Sequence, residues 1–135
     1  MTLYPDRYIF YGVLPYTYGV RTVLVVDDDE DIRGYVRKAL GMRGWTVLEA
    51  EDGVDGVARF MLHYPDVLLT DISMPNSDGF EMIELLRDGG DLDGVRVVIM
   101  SGVVDVTAQQ TEAAGVAAVL RKPFKLQALY EAVGD

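Results

Sequence analysis

Asp27 and Asp28 follow the apolar run Val23-Leu24-Val25-Val26, Asp71 follows Leu68-Leu69-Thr70, and Lys122 lies within Arg121-Lys122-Pro123-Phe124. Each fragment reads as a short buried strand that ends in charge. An open α/β sheet gathers its ligand site at the carboxyl ends of its strands, so the three fragments are expected to converge on one pocket. Three carboxylates held together repel one another and resist ionisation unless a cation neutralises them. Hard oxygen ligands with water in the remaining positions suit Mg²⁺ or Mn²⁺, which makes Asp27, Asp28 and Asp71 the expected metal ligands. A carboxylate can also attack phosphorus and become an aspartyl phosphate, and Asp71 is the acid placed to do so. Such a transfer needs little beyond in-line positioning and neutralisation of the equatorial oxygens. Lys122 offers a mobile point charge for that purpose. Ser101, after the apolar run Val95–Met100, offers a hydroxyl donor, with Gly102 behind it allowing close backbone approach.

Taken singly, most of these residues are weak signals. The acid run Asp27 to Asp31 could be a solvated face, and Glu30 and Asp31 suit a helix first turn on that account alone. A lone lysine is usually a surface lysine, although the Lys122-Pro123 bond can be cis and so direct the side chain. Ser101 alone means almost nothing, and Met74-Pro75 and Asp78-Gly79 alone are turn chemistry before a helix. His63 reads as a solvent-facing residue at a helix end. The combination carries the argument.

The elements that must position these groups follow from the pattern. Thr22–Asp27 is a nearly continuous β-branched run, as in a strand buried on both faces. Glu30–Met42 reads as a helix with Ile32, Val36, Ala39 and Leu40 on one face and Gly44 as a left-handed C-cap. Strands are expected at Thr46–Ala50, Val67–Thr70, Val95–Met100 and Ala117–Leu120. Helices are expected at Val54–His63, Gly79–Arg87, Val106–Ala114 and Leu126–Val133, with Pro65 ending the second and a turn-rich stretch over 88–94. Five strands alternating with five helices imply a parallel sheet with right-handed crossovers, a three-layer α/β sandwich. The central third strand should lie beside the first.

Bulk properties narrow the function. The 135 residues make one ordinary domain, half of them hydrophobic. There is no cysteine and a single histidine, which excludes disulfides, thiol chemistry and multi-histidine metal sites. The net charge of −10, from 22 acids and 12 bases, opposes direct nucleic-acid binding. The longest apolar runs fall far short of the ~20 residues of a spanning helix, so a cytoplasmic protein without a membrane segment is expected. Residues 1–20 stand apart as an aromatic-rich N-terminal extension, with 21–135 as the domain proper. Its tyrosines and phenylalanine read either as a loose tail or as an arm packing on this domain or a partner.

Residues 22–133 resemble the receiver domain of bacterial two-component response regulators. The resemblance rests on Val-Val-Asp-Asp-Asp (25–29), Thr-Asp-Ile-Ser-Met-Pro (70–75) with Asp78-Gly79, Met-Ser-Gly (100–102) and Lys-Pro-Phe (122–124), matched in order and spacing. It implies a flavodoxin-like fold and a phosphoacceptor Asp71 charged by the phosphohistidine of a histidine kinase or histidine phosphotransfer protein. It implies direct Mg²⁺ ligation by Asp28 and Asp71, action of Asp27 mainly through water, and a backbone carbonyl ligand at Ser73. Ser101 and Lys122 match the family's switch hydroxyl and lysine. Val119 departs from the pattern, since an aromatic usually stands three residues before the lysine. The last helix is short, and residues 1–20 have no counterpart in the pattern.

With the chain ending after the fifth helix, the output is expected through an unknown downstream protein rather than an attached domain. Two rivals compete with a phosphoacceptor that catalyses only its own phosphorylation and dephosphorylation. One is a non-phosphorylated pseudo-receiver, which typically lacks a member of the acid–hydroxyl–lysine set. The other is a metal-dependent phosphatase with an aspartyl intermediate, which would want an acid where Ser73 stands.

Overall fold

The computed structural model describes residues 21–75, 77–102 and 106–135. The aromatic extension over 1–20 and the residues at 103–105 lie outside this description. The main sheet contains β1 (Arg21–Val26), β2 (Trp45–Ala50), β3 (Val67–Asp71), β6 (Arg96–Ser101) and β7 (Ala118–Arg121). Two short strands, β4 (Ser73–Met74) and β5 (Ser77–Asp78), form a separate ribbon. The helices are α1 (Glu30–Gly41), α2 (Gly53–His63), α3 (Gly79–Asp88), α4 (Ala108–Ala114) and α5 (Leu126–Val133).

The sheet is wholly parallel, in the order β2-β1-β3-β6-β7. Successive residues of a strand face opposite sides. Val23 and Val25 therefore join Val36 and Leu40 of α1 and Leu129 and Tyr130 of α5 in one core. Leu24 and Val26 join Phe60 of α2 and Met82, Ile83 and Leu86 of α3 in the other. Both faces being covered explains why β1 and β3 read as unbroken apolar runs rather than alternating ones. The result is the expected three-layer sandwich. Among the described residues no helix is long and apolar enough to cross a membrane.

Helix starts follow their caps. The side chains of Asp29, Asp52, Asp78 and Thr107 accept amide hydrogen bonds at the starts of α1, α2, α3 and α4. The last of these corrects an expectation: α4 begins at Ala108, because Thr107 and Gln110 form a capping box and leave Val106 outside. The end of α1 differs too. The cap is Met42 in right-handed geometry, and Gly44, at φ 87°, serves the turn that feeds β2. The β4–β5 ribbon has no strand-like sequence signal. It is a two-residue antiparallel pairing, Ser73 opposite Asp78 and Met74 opposite Ser77, that brings the chain from β3 into α3.

Phe60 is fully buried and packs edge-on against Tyr64 at 5.9 Å between ring centroids. Phe60→Ala should therefore lower the unfolding free energy by about 3–5 kcal/mol, read from urea denaturation. A loss below about 1 kcal/mol would mean that the α2 face does not anchor this core.

Candidate functional site

Strand register brings the charged ends together. Val26 pairs with Thr70, so Asp27, the next residue, stands beside Asp71. Asp71 pairs with Met100, which puts Ser101 one step further along the adjacent strand. Ser101 pairs in turn with Arg121, and the Lys122 amide donates to the Ser101 carbonyl at 2.7 Å. The carboxyl ends of four neighbouring strands thus define one rim.

Carboxylate oxygens of Asp27, Asp28 and Asp71 lie within 4.8 Å of one another. Asp27 is completely buried, Asp71 nearly so, and Asp28 is exposed. Lys122 Nζ donates to Asp27 Oδ2 at 2.7 Å and to Asp71 Oδ2 at 3.3 Å. The remaining oxygens face backbone: the Asp29 amide donates to Asp27 Oδ1 at 2.9 Å, and the Ser73 amide to Asp71 Oδ1 at 3.3 Å. Asp27 is thereby engaged at both oxygens from within the protein, whereas Asp28 looks outward. Ser101 is buried at the end of β6. The Lys122-Pro123 bond is cis.

The electrostatics follow from burial. Burial pushes the Asp27 carboxyl above its ordinary range; hydrogen bonds from Lys122 and the Asp29 amide oppose this, and the Asp71 charge adds to it. Burial also works against the charge of Lys122. Its hydrogen bond to Asp27 and the charges of Asp27 and Asp71 outweigh that and hold the ammonium above its usual value. A clustered set of hard oxygens, with one acid exposed and a cation already balancing the buried pair, fits a small divalent ion.

Two features were not read from the sequence. Gly79 was visible as turn chemistry, as a helix start and as part of the family pattern, but not as a point of close backbone contact. A Cβ there would sit 2.3 Å from the Asp71 carbonyl oxygen and 2.9 Å from Ile72 Cα, so the start of α3 packs directly on the backbone that carries Asp71. Arg33 and Glu49 were not singled out by the sequence. Arg33 Nε donates to Glu49 Oε1 at 3.1 Å, and its NH1 donates to the Asp27 carbonyl at 2.8 Å.

A parallel sheet with helices on both faces, carrying three acids and a lysine at its carboxyl edge, is a doubly wound α/β domain with its ligand site at the strand ends. The response regulator receiver domain matches residues 23–134, and the chain belongs to that family. Response regulator MprA of Mycobacterium ulcerans is 36% identical over 107 residues, covering 79% of this chain and 46% of the relative. The chain thus spans about half the length of the curated relatives it matches. Among solved structures, chemotaxis protein CheY4 of Vibrio cholerae superposes with a TM-score of 0.77 at 28% identity, covering 84% of this chain and 95% of that one. A CheY-like receiver domain protein from Methanospirillum hungatei gives 0.73 at 27% identity, covering 83% and 90%. The expected flavodoxin-like fold and the phosphoacceptor role in two-component signalling both stand.

Two outcomes test this geometry. In chelator, Lys122→Met leaves Asp27 and Asp71 without a cation and should cost about 3 kcal/mol at neutral pH. The folded pKa of Asp27 lies above its unfolded value, so protonation favours the native state. The variant should regain stability as pH falls from above the folded pKa to the ordinary carboxylate range. Wild-type stability in this variant at pH 7 would show that Lys122 does not hold the acids. Gly79→Ala should lose about 1–3 kcal/mol through overpacking and shift the Asp71 and Ile72 amide resonances. Unmoved resonances would show that the two backbones are not in contact.

Proposed function

We propose that Asp71 is the phosphoacceptor, Asp28 and Asp71 with the Ser73 carbonyl are the direct ligands of Mg²⁺, Asp27 assists them, and Lys122 and Ser101 receive the phosphoryl group. The observation that carries this reading is Lys122 Nζ within hydrogen-bonding reach of both Asp27 and Asp71 at the ends of parallel strands. The same lysine that balances two carboxylates in the resting protein can turn to an equatorial phosphoryl oxygen once one carboxylate is esterified. Mn²⁺ could replace Mg²⁺, and either would supply charge neutralisation at the phosphoryl oxygens.

The transfer balances simply. A carboxylate oxygen of Asp71 forms a bond to phosphorus, and the phosphorus–nitrogen bond of the donor phosphohistidine breaks. The imidazole keeps the electron pair and takes a proton from water. Hydrolysis later breaks the acyl phosphate and restores the carboxylate with inorganic phosphate. The domain is thus a partner that catalyses its own modification rather than an enzyme turning over a separate substrate. The donor would be a histidine kinase or histidine phosphotransfer protein, the reader a downstream protein, and the setting the cytoplasm. Completeness of the acid, hydroxyl and lysine set disfavours a pseudo-receiver.

Intact mass after incubation with Mg²⁺ and acetyl phosphate tests the assignment. One phosphoryl adduct is expected on the native protein and none on Asp71→Asn. An undiminished adduct in the variant would overturn it.

A further inference from the structure

Arg33 occupies an unexpected place. It lies in the first turn of α1, its amide donating to the Asp29 carbonyl at 3.1 Å. A cation there is disfavoured by the helix dipole. The side chain nevertheless folds back toward the acid loop and is largely buried, at 17% exposure. There it joins three things: its own helix, Glu49 of β2, and the main-chain carbonyl of Asp27. The last ladder bond of β1 to β2 is the Asp27 amide donating to the Ala50 carbonyl at 3.1 Å. Beyond it the two chains separate, and the Asp27 carbonyl is taken up by the guanidinium instead.

We propose that Arg33 is a positioning residue that clamps the β1–α1 acidic loop to β2 and so holds the carboxylates of Asp27 and Asp28 in their cation-binding arrangement. The inference rests on the metal reading given under Proposed function. Glu49 makes the clamp compatible with a cation site. Burial opposes the Glu49 charge, but hydrogen bonds from Arg37 and Arg33 outweigh it and keep the carboxyl below its ordinary range. An anionic Glu49 lies against the buried Arg33 charge and offsets it locally, while the second cation on Glu49, Arg37, is exposed and screened by solvent. The two bonds leave from different nitrogens, Nε and Nη1, of one planar fork, a spread that the single ammonium of a lysine does not reproduce.

Arg37 is the matched control. It donates to the other oxygen of Glu49 at 2.6 Å, from a side chain 52% exposed, and among the described residues makes no hydrogen bond to the acid loop. A purely structural role for the ion pair would make Arg33 and Arg37 similar. A positioning role makes them different.

The test uses the full chain with Arg33→Ala, Arg33→Lys and Arg37→Ala. Amide hydrogen exchange is followed in chelator, and Mg²⁺ affinity by titration calorimetry. Arg33→Ala should speed exchange of the Asp29 amide, which donates to Asp27, severalfold and weaken Mg²⁺ binding about tenfold. Arg33→Lys, which keeps the charge but not the fork, should show most of both losses, while Arg37→Ala should match the native protein. Native Mg²⁺ affinity in both Arg33 variants, or equal losses in Arg37→Ala, would overturn the proposal. A native protein that binds no Mg²⁺ would sink the metal reading itself. The exchange measurement in chelator would then still decide whether Arg33 holds the loop.

Discussion

The structure turns on the mutual repulsion of carboxylates at one sheet edge. Two unit charges about 4 Å apart cost about 4 kcal/mol at an effective dielectric constant near 20, a large share of the whole stability of a small domain. Asp27 and Asp71 are buried with oxygens inside that range of distances, and Asp28 adds a third charge. Lys122 offsets the penalty from the far side of the rim, reaching past β6 to both buried acids. The parallel order of the strands follows the same constraint. Only with β1, β3 and β7 running in one direction do acids and lysine arrive at the same edge.

Much of this was legible in the chain. The β-branched runs over Val23–Val26 and Val95–Met100, interleaved with helical stripes, imposed a parallel sheet covered on both faces. Charge placed directly after those runs marked the edge where the acids meet. What escaped reading was whatever depends on tertiary contact between polar groups. Arg33 and Glu49 are 16 residues apart on different elements, and neither periodicity nor composition says that they touch. The ribbon of β4 and β5 escaped for another reason. Two-residue strands bury too little apolar surface to leave a pattern, and their pairing is dictated by the path from Asp71 to the cap at Asp78. Gly44 was rightly marked as a left-handed position but belongs to the following turn, since Met42 and Arg43 separate it from the helix proper.

The side of the domain that carries α4 is built differently from the rest. α4 is short, fully buries none of its residues, and is held by its caps and by an Arg87 hydrogen bond to the Ala114 carbonyl. Segments with few buried apolar contacts open locally at low free-energy cost. Val119, on the edge strand next to it, is 43% exposed and supplies no ring to wedge between strand and helix. Rigidity is therefore concentrated around β1, β3 and α1, while compliance lies towards α4. β3, which carries Asp71, lies on the rigid side and borders β6.

The strand order also has a consequence for synthesis. A chain emerging from the ribosome completes β1, β2 and β3, which pair with one another, before β6 and β7 exist. The strands that bring Asp27 and Asp71 together therefore precede, in chain order, the last strand, which brings Lys122. Until then the nascent sheet edge carries crowded acids whose only counter-ions come from the surrounding solution. Early pairing of β1 with β3 should accordingly be sensitive to dissolved divalent salt. The lysine that follows the last strand then supplies the buried pair with a counter-ion from within the chain.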